Sequence, residues 1–198
     1  VAVSVPAFER YQNHDAWTWE HMALTRLRPV AGDEALCYRI MKIACEAIVA
    51  RAPRDGDAIS QAVSDMRQRL YREKPGTGLW DLKTAEGGLV DAEFIVQRDM
   101  LLVGKPGSIK ANTREAIAHS SLPEEERDML EQGVMFLQSL QQVHRLALGS
   151  ELPDGHIPEG LKDRLCRSVN VTGFDALEAE ISAVKTRIHG LAVKKLQL

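Results

Sequence analysis

DLKTAEGGLVDAEFIVQ (residues 81–97) is the stretch on which the reading of the whole chain turns. A lysine and a Gly-Gly pair lead into a strongly apolar run, read as a helix that carries Asp91 and Glu93 in its first turns. Carboxylates among Leu89, Val90, Phe94, Ile95 and Val96 are costly to bury unless a cation meets them. Two residues apart on a helix, they point roughly 200° from each other, so they do not clamp one metal ion together. Asp91 lies one turn beyond Gly87 and Gly88, near the positive helix start. Glu93 shares a side with Leu89, Val96, Gln97 and Met100, which reads as the buried side.

Working outward, every flanking segment also reads as helix. Ser4 with Pro6 is a hydroxyl cap followed by a proline in the first turn, where its missing N–H is harmless. A break is expected around Asn13 and His14, after which Asp15 caps a helix ending near Pro29. Gly32 and Asp33 precede a third helix with Leu36, Ile40, Ile43 and Ala47 at helical spacing. Asp57 caps a fourth, with Ile59, Val63, Met66 and Leu70 as its stripe. Downstream come a short helix within residues 104–121 and a long one that opens on Glu124, Glu125 and Glu126. Three acidic residues there suit the positive end of the helix. A short helix after Pro158 and a last one along Leu177, Ile181, Val184, Ile188 and Leu191 complete the set. VAVSV at residues 1–5 is the one candidate strand. The expectation is an all-α bundle of about eight helices.

Bulk properties set limits. The chain has 198 residues, 44% of them hydrophobic and 27% charged, the balance of a globular protein with a full core. A net charge of −3 gives no basic footprint for nucleic acid. No apolar run approaches the roughly 20 residues needed to span a bilayer, and the first residues lack the regions of a signal peptide. Cys37, Cys45 and Cys166 fit no disulfide or zinc spacing, which points to a reduced, cytoplasmic setting. The chain opens on Val1 rather than Met, as expected of a piece of something longer. Gly76 and Gly78 do not complete a dinucleotide fingerprint, no phosphate loop of the GxxxxGK[ST] type occurs, and the six histidines are scattered. Asp55-Gly56-Asp57 reads as a turn and a cap rather than a metal-holding pair.

Two stretches carry a family resemblance. AWTWEHMALTRLRPVAGD (residues 16–33) and DLKTAEGGLVDAEFIVQ are similar to the paired signatures of the glutamine synthetase adenylyltransferases, with FERYQ (residues 8–12) and, more weakly, QQVHRLALG (residues 141–149) alongside. The wording around Trp17, Trp19, Glu20 and His21, with Asp91 in GGLVDAEF, resembles the C-terminal, adenylylating half. The resemblance implies a helical domain (residues 15–198) that follows a nucleotidyltransferase domain of the polymerase-β type, with residues 1–14 as that domain's trailing edge. It implies an enzyme that, with Mg²⁺, transfers AMP from ATP to a tyrosine of glutamine synthetase, under the influence of the PII signal protein. The family's metal-binding carboxylates lie upstream of the segment resembling FERYQ, so this chain alone is expected to be inactive. The upstream domain, glutamine synthetase and PII are the partners implied, and no metal ligand is expected here.

Within that frame, Lys83, Gly87, Gly88, Asp91, Arg26 and Arg28 are the candidates for nucleotide contact. Lys83 is a cation on a turn, and the N–H groups of Gly87 and Gly88 are placed to approach an anion at a helix start. Glu93 and Glu20 are candidates for structural ion pairs, Glu93 with an arginine of the Trp-Glu helix. Asp91 stays open between the two roles. Of Arg26 and Arg28, one is expected to meet Glu93 and the other a triphosphate or the protein substrate. Trp17 and Trp19 point apart, and at least one is expected in the core. The alternative is an interaction module for glutamine synthetase or PII that does not touch nucleotide.

Overall fold

Helix α5 (Leu89–Val103) is the axis of the molecule, a computed structural model that describes residues 2–51, 56–149 and 157–198. Leu89, Ala92, Ile95, Val96, Met100 and Leu101 are all buried, so α5 is apolar on most of its circumference and must be covered on several sides. The covering elements are α2 (Thr18–Leu24), α3 (Glu34–Arg51), α4 (Gly56–Glu73), α6 (Thr113–Ala118), α7 (Glu124–Leu148) and α9 (Phe174–Leu196). Helix α1 (Val5–Arg10) packs on α3, and α8 (Glu159–Ser168) fills the angle between α7 and α9. The described residues contain nine α-helices and no strand, an all-α fold.

Local chemistry explains most boundaries. The Ser4 hydroxyl accepts the Ala7 N–H ahead of α1, and the Asp33 carboxylate accepts the Leu36 N–H ahead of α3. Residues 2–4 of VAVSV therefore form no strand, and Val5 opens α1. Asp15 does not cap the next helix. It closes a π-helical turn (Tyr11–Asp15), and α2 begins behind Trp17, whose N–H is held by Glu20 at 2.9 Å. Nor does α2 reach Pro29. Arg26 and Leu27 donate to Ala23 and Leu24, and the Thr25 carbonyl accepts the Lys110 N–H, so the helix unwinds into a tethered turn.

Two stripes are shifted from their expected positions. In α3 the buried residues are Ile43, Ala44, Ala47 and Ile48, while Leu36 is 45% exposed, so the first half of the helix projects beyond the core. In α4, Ile59 and Val63 are buried as the spacing requires, but the next position inward is Arg67 rather than Met66. The α9 line of Leu177, Ile181, Val184, Ile188 and Leu191 is buried throughout. Helices α7 and α9 are also clamped at their ends, where Glu126 meets Lys194 at 2.7 Å and Lys195 at 2.8 Å. Asp55 and His156 lie outside the described residues; Gly56 starts α4, with Asp57 in its first turn.

Candidate functional site

The loop ahead of α5 is built from its own polar groups. The Asp81 carboxylate accepts the N–H groups of Lys83 and Thr84 and the Thr84 hydroxyl. Burial alone would push the Asp81 carboxyl up, but these hydrogen bonds outweigh it and hold it below the usual carboxylate range. From the other side Lys185 of α9, buried at its root, directs its ammonium at the carbonyls of Gly78, Leu79 and Asp81, each at 3.3 Å. Burial lowers the Lys185 pKa, and the nearby Asp81, Asp91 and Glu86 act in the opposite sense. Gly87 has φ +73°, and a Cβ there would stand 1.8 Å from the Lys185 carbonyl oxygen. Only glycine lets α9 approach the loop so closely.

Asp91 faces this loop from within. It is fully buried and accepts from Arg67 Nε at 2.5 Å, from the Tyr71 hydroxyl at 2.9 Å and from the Gly87 N–H at 2.6 Å. Arg67, 1% exposed, also donates to the Thr84 carbonyl and lies 3.6 Å over the Tyr71 ring. Burial, then the charge of Asp91, push the Tyr71 hydroxyl far above the ordinary phenol range, so it remains a donor. The cation that Asp91 requires is thus Arg67 of α4, which joins α4, α5 and the loop at one buried point.

The expected nucleotide-side residues therefore separate. Asp91 is inside the protein with both oxygens occupied, and the Gly87 N–H is spent on it. The Gly88 N–H is spent on the Ala85 carbonyl, and both glycines are buried. Glu93 is half-buried and paired with Arg26 at 2.9 Å. Arg26, Arg28, Trp19, Met66, Leu70 and Glu93 line a groove of about 500 Å³ between the α2 end, α4 and α5. Lys83 is exposed in a different cleft of about 510 Å³, between residues 80–84 and the α7 residues Gln141, His144 and Arg145. Glu20 makes no ion pair among the described residues; besides Trp17 it accepts from the Tyr11 hydroxyl at 2.7 Å. Trp17 and Trp19 are 68% and 47% exposed, because Thr18, His21, Met22 and Leu24 supply the inward face of α2.

Arg67 and Tyr71 were missed by sequence reasoning. The signal was there: Ile59, Val63, Arg67 and Tyr71 continue one line at steps of four, and a buried carboxylate demanded a cation.

Comparison with known proteins places this architecture. Residues 1–43 match the family model described as glutamate-ammonia ligase adenylyltransferase, and residues 58–194 match the one described as GlnD PII-uridylyltransferase. The first helices and the helical body are thus similar to two different family models. Among curated proteins, the bifunctional glutamine synthetase adenylyltransferase/adenylyl-removing enzyme of Brucella suis is 36% identical over 189 residues, 91% of this chain and 19% of that protein. The enzymes of the same name from Mesorhizobium japonicum and Bradyrhizobium sp. (strain ORS 278) are 36% and 33% identical, each over 96% of this chain. The chain belongs to the glutamine synthetase adenylyltransferase family. It spans about a fifth of the length of these relatives.

Proposed function

We propose that the chain is the helical domain of the adenylylating half of such an enzyme, walling the nucleotide site of a preceding nucleotidyltransferase domain. The whole protein would transfer AMP from ATP to a tyrosine of glutamine synthetase in the cytoplasm, with PII as a regulatory partner. One observation carries the reading. Val3, Tyr11, Trp17, Trp19, Val30, Leu36 and Tyr38, most of the large exposed apolar side chains described, fall within the segment matched by the adenylyltransferase model. Large apolar side chains exposed in such number within one segment call for a covering partner, and the relatives' greater length supplies a candidate in their remaining chain.

Arg28 makes no ion pair among the described residues and lines the same groove as Arg26, whose guanidinium is held by Glu93, so Arg28 is the cation there open to a triphosphate. Among the described residues no group of three His, Cys, Asp or Glu is placed to hold an ion, and no residue of this chain is proposed as a magnesium ligand. No step is assigned to magnesium here. The chain by itself is expected not to transfer AMP. No helix among the described residues is long and apolar enough to cross a membrane.

A second reading has its own support. Trp17, Trp19, Arg69 and Arg72 border a neighbouring groove of about 530 Å³, and tryptophan with arginine is the composition of protein-binding hot spots. Arg28→Ala in the intact enzyme separates the two. The nucleotide reading expects KM for ATP to rise about ten-fold, the worth of one charge-assisted contact, with KM for glutamine synthetase unchanged. A change confined to glutamine synthetase that Arg72→Ala in the neighbouring groove reproduces supports the docking reading, and no change in either KM with Arg28→Ala overturns the nucleotide assignment of the Arg28 groove.

A further inference from the structure

We propose that the cleft between residues 80–84 and the last turns of α7 binds a small ligand bearing a carboxylate or phosphate oxyanion, gripped by Lys83 and Arg145 with His144 beneath. The inference goes beyond the family reading and does not depend on it.

The first support is an unspent buried group. His144 is 6% exposed and lines the cleft, yet its Nε2 has no hydrogen-bond partner among the described residues. A buried ring nitrogen left unpaired is costly and calls for a missing partner. Burial, then the neighbouring Arg145 charge, lower the His144 pKa, so at neutral pH the ring is uncharged and carries one N–H. The second support is unbalanced charge. No ion pair among the described residues uses Lys83 or Arg145, whereas Asp81, the one carboxylate among the described residues that line the cleft, is saturated by donors from its own loop. An arriving anion meets two free cations and a carboxylate already satisfied.

The third support is rigidity. Lys185 fixes the carbonyls behind the loop, and the Trp80 indole N–H donates to Glu178 while its ring stacks on Phe174 at 5.6 Å. A wall held this way needs little ordering when a ligand enters, which favours binding. Gln141, one turn before Arg145, adds an amide on the same side, and the volume of about 510 Å³ lies in the range of small-molecule sites.

The test is calorimetric titration of the 198-residue chain with inorganic phosphate, ATP without metal, and succinate, at low ionic strength. One-to-one binding by at least one probe is expected, weakened about ten-fold or more by Lys83→Gln and by Arg145→Gln, and unchanged by Arg28→Gln in the other groove. Binding by phosphate and ATP but not succinate assigns a phosphate-bearing ligand; the reverse assigns a carboxylate. Because both cations are exposed, neither variant threatens the fold, and a ring ¹⁵N shift of His144 on titration reports the third contact independently. Failure of all three probes to bind at about 10 mM, or binding indifferent to both substitutions, overturns the proposal.

Discussion

Asp91→Asn is the sharpest test of the buried node. The substitution preserves volume, so packing around α5 is unchanged, but it removes the charge that balances Arg67. At 0% and 1% exposure, neither partner has water to fall back on. The new amide also presents two donors where the carboxylate accepted from Arg67, Tyr71 and the Gly87 N–H, so at least one pair of donors must collide. Breaking a buried pair from one side costs about 3–5 kcal/mol. For a chain of this length that is a fall in Tm of about 6–20 °C. Urea unfolding followed by circular dichroism gives the free energy directly. A loss below about 1 kcal/mol would mean that the geometry of Arg67 and Asp91 does not hold these helices together. The companion variant, Arg67→Met with Asp91→Leu, removes both charges and should recover part of the loss, although it leaves the Gly87 N–H, the Tyr71 hydroxyl and the Thr84 carbonyl without these partners. If the double variant is instead as unstable as the two single losses added, the electrostatic account fails.

Other expectations follow from single contacts. Gly87→Ala forces a left-handed conformation on alanine and drives its Cβ into the Lys185 carbonyl, so it should destabilise by more than about 1 kcal/mol in the same urea assay. Asp81 contributes stability above the ordinary carboxylate pKa, because its folded pKa is the lower one; that contribution is lost as the pH falls through the folded value. Asp81→Asn should therefore cost stability at pH 7, and its difference from wild type should shrink as unfolding is measured at successively lower pH between about 5 and 3. The Arg26–Glu93 pair, 44% and 24% exposed, should respond weakly: Glu93→Gln is expected to cost under about 1 kcal/mol, less still in high salt.

The fold was legible because its signals are local and repeated. Caps at Ser4 and Asp33, the acidic opening of α7 and the apolar line of α9 each stand in short windows, and each corresponds to a helix. Positions that depended on a neighbour were not legible. In α3 Ile43 and Ala47 are buried as expected and are joined by Ala44 and Ile48, while Leu36, in the more exposed first half, is not. The tail of α2 could not be divided by helical angle, since it is not helical beyond Leu24; Arg26 and Arg28 share one groove instead of lying on two sides. Arg67 went unnoticed because an arginine among surface-type residues looks solvated until the buried carboxylate opposite is counted.

The same geometry decides what substitutions in DLKTAEGGLVDAEFIVQ can report. The angle between Asp91 and Glu93 was read from helix periodicity, but the angle does not say which of the two faces inward. The loop supplies that information: its Gly87 N–H and the Arg67 it holds through Thr84 both converge on the third residue of α5, so Asp91 goes in and Glu93 meets the α2 tail. Once the loop's donors are spent on Asp91 and Ala85, the residues of the motif that look most like an anion site have no donor left to offer. Charge remains at Lys83 in one cleft and at Arg28 in another. Loss of activity on substituting Asp91, Gly87 or Gly88 would thus arise through folding, and would appear as lost stability before any change in KM. Substitution of Lys83 or Arg28, like that of Arg145, leaves the core untouched, so a kinetic effect there would identify a ligand.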